Sequence, residues 1–181
     1  MKQDLENLEV EDLLVEESHL EGSFSEVYVF EDFVIKKSCA EPDTVDESLH
    51  LTAEISPVTS YGVFDDITVI KQDRADQVYR PETEEELQAF MMETSPIVDR
   101  MISRGLAVDF KPENFGTYDG ITLYIDNADL ASVRSPEDPT EAMASQLQRQ
   151  LNKNDYYSDI IPSEEDLMSY WQTDDDLTIH S

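Results

Sequence analysis

Residues 108–116 read "VDFKPENFG", Val108 to Gly116, and the whole chain is best understood outward from this stretch. It holds an acid, Asp109, a lysine two positions on, Lys111, and an asparagine three after that, Asn114. The chain carries 12 basic residues against 42 acidic ones, so a lysine kept beside a carboxylate and a proline asks for a reason. An ordinary surface turn is one reason, because Pro, Asn and Gly are common turn residues. A loop built for chemistry on a phosphate is the other.

The flanking sequence narrows the choice. Upstream, Thr83 with Glu86 forms a capping-box pattern, and Leu87, Phe90 and Met91 follow at helical spacing. Ser95-Pro96 then predicts the start of a second helix, with Pro at its first position, Ile97, Met101 and Ile102 on its buried face, and Gly105 at its end. Downstream, Asp119-Gly120 predicts a hairpin turn between Phe115–Thr117 and Ile121–Ile125. Further out, "SEVYVFEDFVIKKS" (Ser25 to Ser38) reads as a hairpin of β-branched and aromatic strands around Glu31-Asp32. A short helix over "PDTVDESLHLTAEIS" and strand character in "VTSYGVFDDITVIKQ" follow it. Near the C-terminus two short helices are expected. One starts near Asp138-Pro139 with Met143, Leu147 and Leu151 on one stripe; the other is capped by Ser163 and carries Leu167, Met168 and Trp171.

Composition sets outer bounds. A chain of 181 residues makes one or two small domains and can bury a core without disulfides. Its net charge of −30 repels nucleic-acid phosphates and anionic membranes, so neither is an expected partner. The expected explanation of that charge is adaptation to high salt, where screening shortens the reach of self-repulsion, ahead of mimicry of DNA and of a plainly acidic cytoplasmic protein. Cys39 is the sole cysteine and cannot form an internal disulfide, which fits a reducing compartment. No apolar run approaches the roughly 20 residues that span a bilayer. The acidic N-terminus lacks a signal-peptide pattern. The expectation is a soluble, cytoplasmic protein. His19, His50 and His180 are scattered, without metal-ligand spacing.

A sheet with one helix, then a helical segment, then a loop and hairpin bearing two acids: this order resembles the protein-kinase-like fold, including its aminoglycoside-phosphotransferase branch. "DFKPEN" (Asp109 to Asn114) is similar to the catalytic-loop pattern D-L-K-P-E-N at five of six positions. "YIDNA" stands where the metal-binding D-F-G stands, with Asp126 as its acid, 12 residues after Asn114. "FVIK" is similar to V-A-I-K and supplies Lys36, while "EGSFSEVY" resembles the Gly-rich loop around its second glycine, Gly22. The resemblance covers about residues 18 to 130.

It implies an α+β, two-lobed, miniature kinase-like fold. Residues 1–75 would form an N-lobe of antiparallel sheet with one helix. Residues 76–181 would form a reduced, mainly helical C-lobe holding the catalytic loop 108–116 and the metal-loop strand 121–130. The implied activity is an ATP- and Mg2+-dependent phosphotransferase acting on a hydroxyl of a protein or small molecule. Phosphoryl transfer needs positioning and neutralisation of charge more than covalent help. Asp109 would face the acceptor hydroxyl and Lys111 the transferred phosphate. Asn114 and Asp126 would offer oxygens to magnesium. Lys36 would reach the α- and β-phosphates of ATP, with Gly22 and Ser23 in the nucleotide loop. The helix glutamate that pairs with the strand lysine would be Glu47, or alternatively Glu54.

Departures from the family pattern keep a second reading open. Leu20 and Ser25 replace the first and third loop glycines, and Ala107 and Val108 stand where His and Arg usually precede the catalytic acid. Asn127 and Ala128 replace the Phe and Gly of D-F-G. Ser135-Pro136-Glu137 lies too close to Asp126 to close a peptide-docking segment, and only 55 residues follow Asp126. The alternative is a pseudokinase: a nucleotide-binding or structural module that engages a protein partner.

Overall fold

The computed structural model describes residues 19–21, 25–38, 40–64, 66–126, 133–153 and 162–171. In chain order the elements are β1 (His19–Glu21), β2 (Ser25–Val29), β3 (Phe33–Ser38), α1 (Pro42–Thr52), β4 (Val58–Phe64), β5 (Ile67–Asp73), β6 (Gln77–Val78), α2 (Glu84–Ser103), β7 (Ala107–Val108), β8 (Phe115–Tyr118), β9 (Ile121–Tyr124), β10 (Val133–Arg134), α3 (Pro139–Lys153) and α4 (Glu164–Trp171). A 3-10 turn, Pro112–Asn114, leads into β8. The chain is therefore α+β, as its pattern predicts. It divides into two units, Met1–Asp76 with Thr117–Val133 and Gln77–Gly116 with Arg134–Ser181.

The first unit is built on an antiparallel five-stranded sheet in the order β1-β2-β3-β5-β4. β3 is its central strand, and Val34, Ile35, Lys36 and Ser38 are all buried there. The β2–β3 turn falls at Glu31-Asp32, as the charged pair between two apolar runs predicts, and Phe30 stacks on Phe33 across it with ring centroids 4.6 Å apart. α1 begins with Pro42 in its first turn and buries Val45, Ser48, Leu49 and Thr52, the spacing of one helical face. Val45 and Leu49 meet Ile70 of β5 to form the unit's apolar cluster. The β8–β9 turn is Asp119-Gly120, with φ of +49° and +76°. Both central residues of a two-residue hairpin loop of this type need positive φ, which Asp-Gly supplies. Residues 117–126 group with this first unit: Tyr124 N donates to Ile55 O at 2.7 Å and the Tyr118 hydroxyl to Asp73 O at 2.8 Å.

The second unit is mainly helical, and here one expectation changes. Thr83 caps α2 as predicted, its hydroxyl accepting Glu86 N at 3.2 Å. Ser95-Pro96, however, opens no new helix; α2 runs unbroken from Glu84 to Ser103 with Pro96 inside it. The apolar stripe explains why. Leu87, Phe90, Met91, Thr94, Ile97, Val98 and Met101 are buried in one unshifted helical phase across the proline. Pro96 and the residue one turn before it, Met92, both lie on the exposed face, so water can take the carbonyl that the missing N–H abandons. α3 and α4 form where their stripes predict, and Ser163 caps α4, its hydroxyl accepting Asp166 N at 3.1 Å. The core is aromatic: Phe110 lies 4.8 Å from Phe115, 5.5 Å from Phe90 and 4.9 Å, edge-on, from Trp171. That cluster fixes the backbone at two points within the 108–116 loop, Phe110 and Phe115.

Candidate active site

The second unit carries Asp109, Lys111 and Asn114. Phe110 and Phe115 are fully buried and Pro112 is buried, so the loop is anchored at alternate points while Glu113 faces solvent. Between the anchors the backbone closes on itself: Lys111 N donates to Asp109 O at 3.1 Å and Asn114 N to Lys111 O at 3.0 Å. This brings three predicted residues together. Lys111 Nζ lies 3.0 Å from Asp109 Oδ2. Asn114 Nδ2 donates to the same oxygen at 3.1 Å and to the Asp109 carbonyl at 2.8 Å. Asn114 is buried, and its Nδ2 makes both bonds, leaving Oδ1 as the atom able to accept or ligate. Asp109 has a further partner that the sequence did not announce. Gln146 of α3 donates from Nε2 to Asp109 Oδ1 and accepts Phe110 N at 3.2 Å through Oε1. Gln146 sits at the rim of the Met143–Leu147–Leu151 stripe, a position with no distinguishing pattern.

The first unit carries Lys36 and Asp126. Lys36 is buried on β3, and its ammonium donates to the Ile125 carbonyl. Burial pushes the Lys36 ammonium below the usual lysine range, and the charge of Asp126 works in the opposite direction. Glu47 is not brought to Lys36. α1 turns Val45, Ser48 and Leu49 toward the sheet, which leaves Glu47 on the solvent face of the helix. Glu54, just beyond α1, is also exposed. Gly22 and Ser23 lie outside the described residues, as do Asn127 and Ala128.

A buried ammonium is a cost to the fold that function must justify. Replacing it with an uncharged chain one atom shorter, Lys36→Met, is expected to stabilise the protein at pH 7 by about 1–3 kcal/mol, or roughly 2–12 °C in Tm. Ile125 is only partly buried, so water can take the place of the lost donor at its carbonyl. The folded state holds the Lys36 proton less tightly than the unfolded state does. The penalty is therefore complete below the depressed folded pKa and fades as pH rises toward the unfolded value. The advantage of Lys36→Met should shrink accordingly between pH 7 and pH 10.5. Thermal melts across that range test it; a variant less stable than wild type at pH 7 would contradict the assignment.

Comparison with solved structures places the fold. Choline kinase LicA from Streptococcus pneumoniae superposes with a TM-score of 0.55 and 13% identity, covering 91% of this chain and 78% of that one. The fold is kinase-like. At lower similarity stand the PknI kinase domain of Mycobacterium tuberculosis, with a TM-score of 0.49, 18% identity and coverage of 72% and 70%, and WbdD, with 0.48, 10%, 85% and 44%. The chain thus spans less than half the length of the WbdD structure it matches. The sequence matches no protein-family model and no curated protein. The kinase-like fold is divergent here; among the described residues it includes the antiparallel N-terminal sheet and four helices. Among the described residues no helix is long and apolar enough to cross a membrane.

Proposed function

We propose that this chain is an ATP- and Mg2+-dependent phosphotransferase that acts on a hydroxyl group of a small molecule or protein. The observation that carries the proposal is the Asp109 carboxylate, held by Lys111, Asn114 and Gln146 in a loop anchored by buried phenylalanines. A carboxylate so placed accepts the hydrogen bond of an alcohol and takes its proton as the oxygen attacks the terminal phosphorus of ATP. The bond to the leaving oxygen breaks and ADP departs. Lys111, paired with Asp109, brings its ammonium charge to the phosphate in transfer. Lys36 meets the phosphates nearer the nucleoside.

Asn114 and Asp126 are oxygen donors of the hard type that suits magnesium. Two such donors do not hold the ion alone, and no group of three or more His, Cys, Asp or Glu side chains among the described residues could hold a metal. Magnesium ordinarily keeps several waters and binds through one or two carboxylates plus substrate phosphates. Its affinity for this chain should therefore depend on ATP, and the ion supplies charge neutralisation on the phosphates when bound.

The solvent-facing Glu47 favours the pseudokinase alternative, since Lys36 then lacks the carboxylate that the family uses to orient it. One experiment addresses nucleotide, metal and both sets of residues together. With 15N-labelled protein at high salt, adding Mn2+ with ATP should broaden the amide signals of Ile125-Asp126 and of Asp109–Asn114. Mn2+ alone should broaden neither set strongly. Broadening confined to one set would show that the two do not serve a single bound nucleotide.

A further inference from the structure

We propose that Gln146 of α3 is the positioning residue for the Asp109 carboxylate, an inference that rests on the phosphotransferase reading above. Its planar amide makes two opposite bonds. Oε1 accepts the Phe110 N–H at 3.2 Å, and Nε2 donates to Asp109 Oδ1. Asp109 Oδ2 meanwhile takes two donors, Lys111 Nζ at 3.0 Å and Asn114 Nδ2 at 3.1 Å.

The lone-pair inventory shows what this does. An ionised carboxylate has roughly two acceptor directions on each oxygen. Oδ2 is full. Oδ1, with one donor, keeps one direction, and that is where an acceptor hydroxyl can donate. The terminal torsion of an aspartate is soft, so bonds at Oδ2 alone would let Oδ1 swing. Gln146 pins the second oxygen and ties it to a backbone N–H one residue away. Loop and carboxylate then move as one body with α3, whose Met143, Leu147 and Leu151 are fully buried.

Gln is the side chain that this position requires. Glu would accept from Phe110 but set a second negative charge against Asp109. Lys would donate to Asp109 but leave the Phe110 N–H without its acceptor. Gln146 is assigned no contact with the reacting atoms; it acts through Asp109.

Two variants test this. Gln146→Glu keeps the shape and the acceptor for Phe110 N–H, but loses the donor and adds repulsion. Gln146→Met keeps similar volume and loses both bonds. With Mg2+ and γ-labelled ATP at high salt, kcat for ATP turnover should fall about 10- to 100-fold in Gln146→Glu, the range typical of outer-shell orienting partners. Gln146→Met should fall by a smaller factor, because it removes the tether without adding charge. KM for Mg-ATP should stay within about twofold of wild type in both, and the Tm of Gln146→Met should fall by a few degrees only, the cost of leaving the Phe110 N–H without its acceptor. Wild-type kcat in both variants overturns the proposal. So does a large drop in Tm for both, which would make Gln146 a structural residue. A wild type without turnover is a different result: it overturns the phosphotransferase reading, and the positioning role goes with it.

Discussion

Asp109→Ala is expected to lower phosphoryl transfer by about 100- to 10,000-fold, the usual contribution of a positioned acid or base, while leaving Mg-ATP affinity nearly unchanged. In the proposed mechanism the carboxylate meets the acceptor hydroxyl, and losing an interaction used only in the transition state lowers the rate without altering ground-state binding of the nucleotide. The substitution also removes one partner of Lys111, which is about a third exposed and can be hydrated, so the loop need not collapse. Asp126→Ala should behave differently, because it removes the carboxylate proposed for the metal and should weaken Mg-ATP binding as well as turnover. Calorimetric titration and transfer of labelled γ-phosphate to small alcohols and to lysate proteins separate the two. Wild type that binds Mg-ATP but turns over no faster than Asp109→Ala would establish the pseudokinase alternative. Wild type that binds no nucleotide at millimolar ATP would leave only the fold.

Raising salt should stabilise this protein substantially. We expect Tm to rise by on the order of 10 °C between 0.1 M and 1 M salt, as the screening length drops from about 10 Å to about 3 Å. The net charge of −30 supplies the repulsion to be screened. Part of it is concentrated locally: Glu82, Glu84, Glu85 and Glu86 are all exposed at the start of α2. The helix dipole favours acids there, but four together also repel one another. Asp73 and Asp76 crowd the partly buried Tyr118, whose hydroxyl is pushed well above the usual tyrosine range, by burial first and by those two carboxylates second. Melts in KCl from 0.1 to 1 M measure the effect. A flat or falling curve would argue against salt adaptation and leave the acidity to be explained by a partner.

Elements that announce themselves through local chemistry were legible in the sequence. Asp119-Gly120 marks its hairpin because few other pairs tolerate two positive φ values in succession. The run from Asp109 to Asn114 marks its loop because it resembles the D-L-K-P-E-N pattern at five of six positions. Pro96 misled because a proline reads as a helix start, whereas the unshifted stripe from Leu87 to Met101 outweighs one missing N–H on an exposed face. Glu47 misled for a similar reason: the glutamates of α1 are visible, but the helix rotation that turns Ser48 inward is set by Val45 and Leu49. Gln146 and the Ile125 carbonyl could not be found at all. One is a glutamine like its neighbours until α3 meets the loop, and the other is a backbone atom that every residue has.

The aromatic anchor also sets an order of events in synthesis. Phe110 packs edge-on against Trp171, the last residue of α4. A ribosome that has released everything through α3 has already made Asp109, Lys111, Asn114 and Gln146, yet one of the three rings that brace Phe110 is still missing. The proposed activity should thus appear abruptly, only once α4 has emerged, and a protease that trims α4 should silence the loop without touching any residue in it.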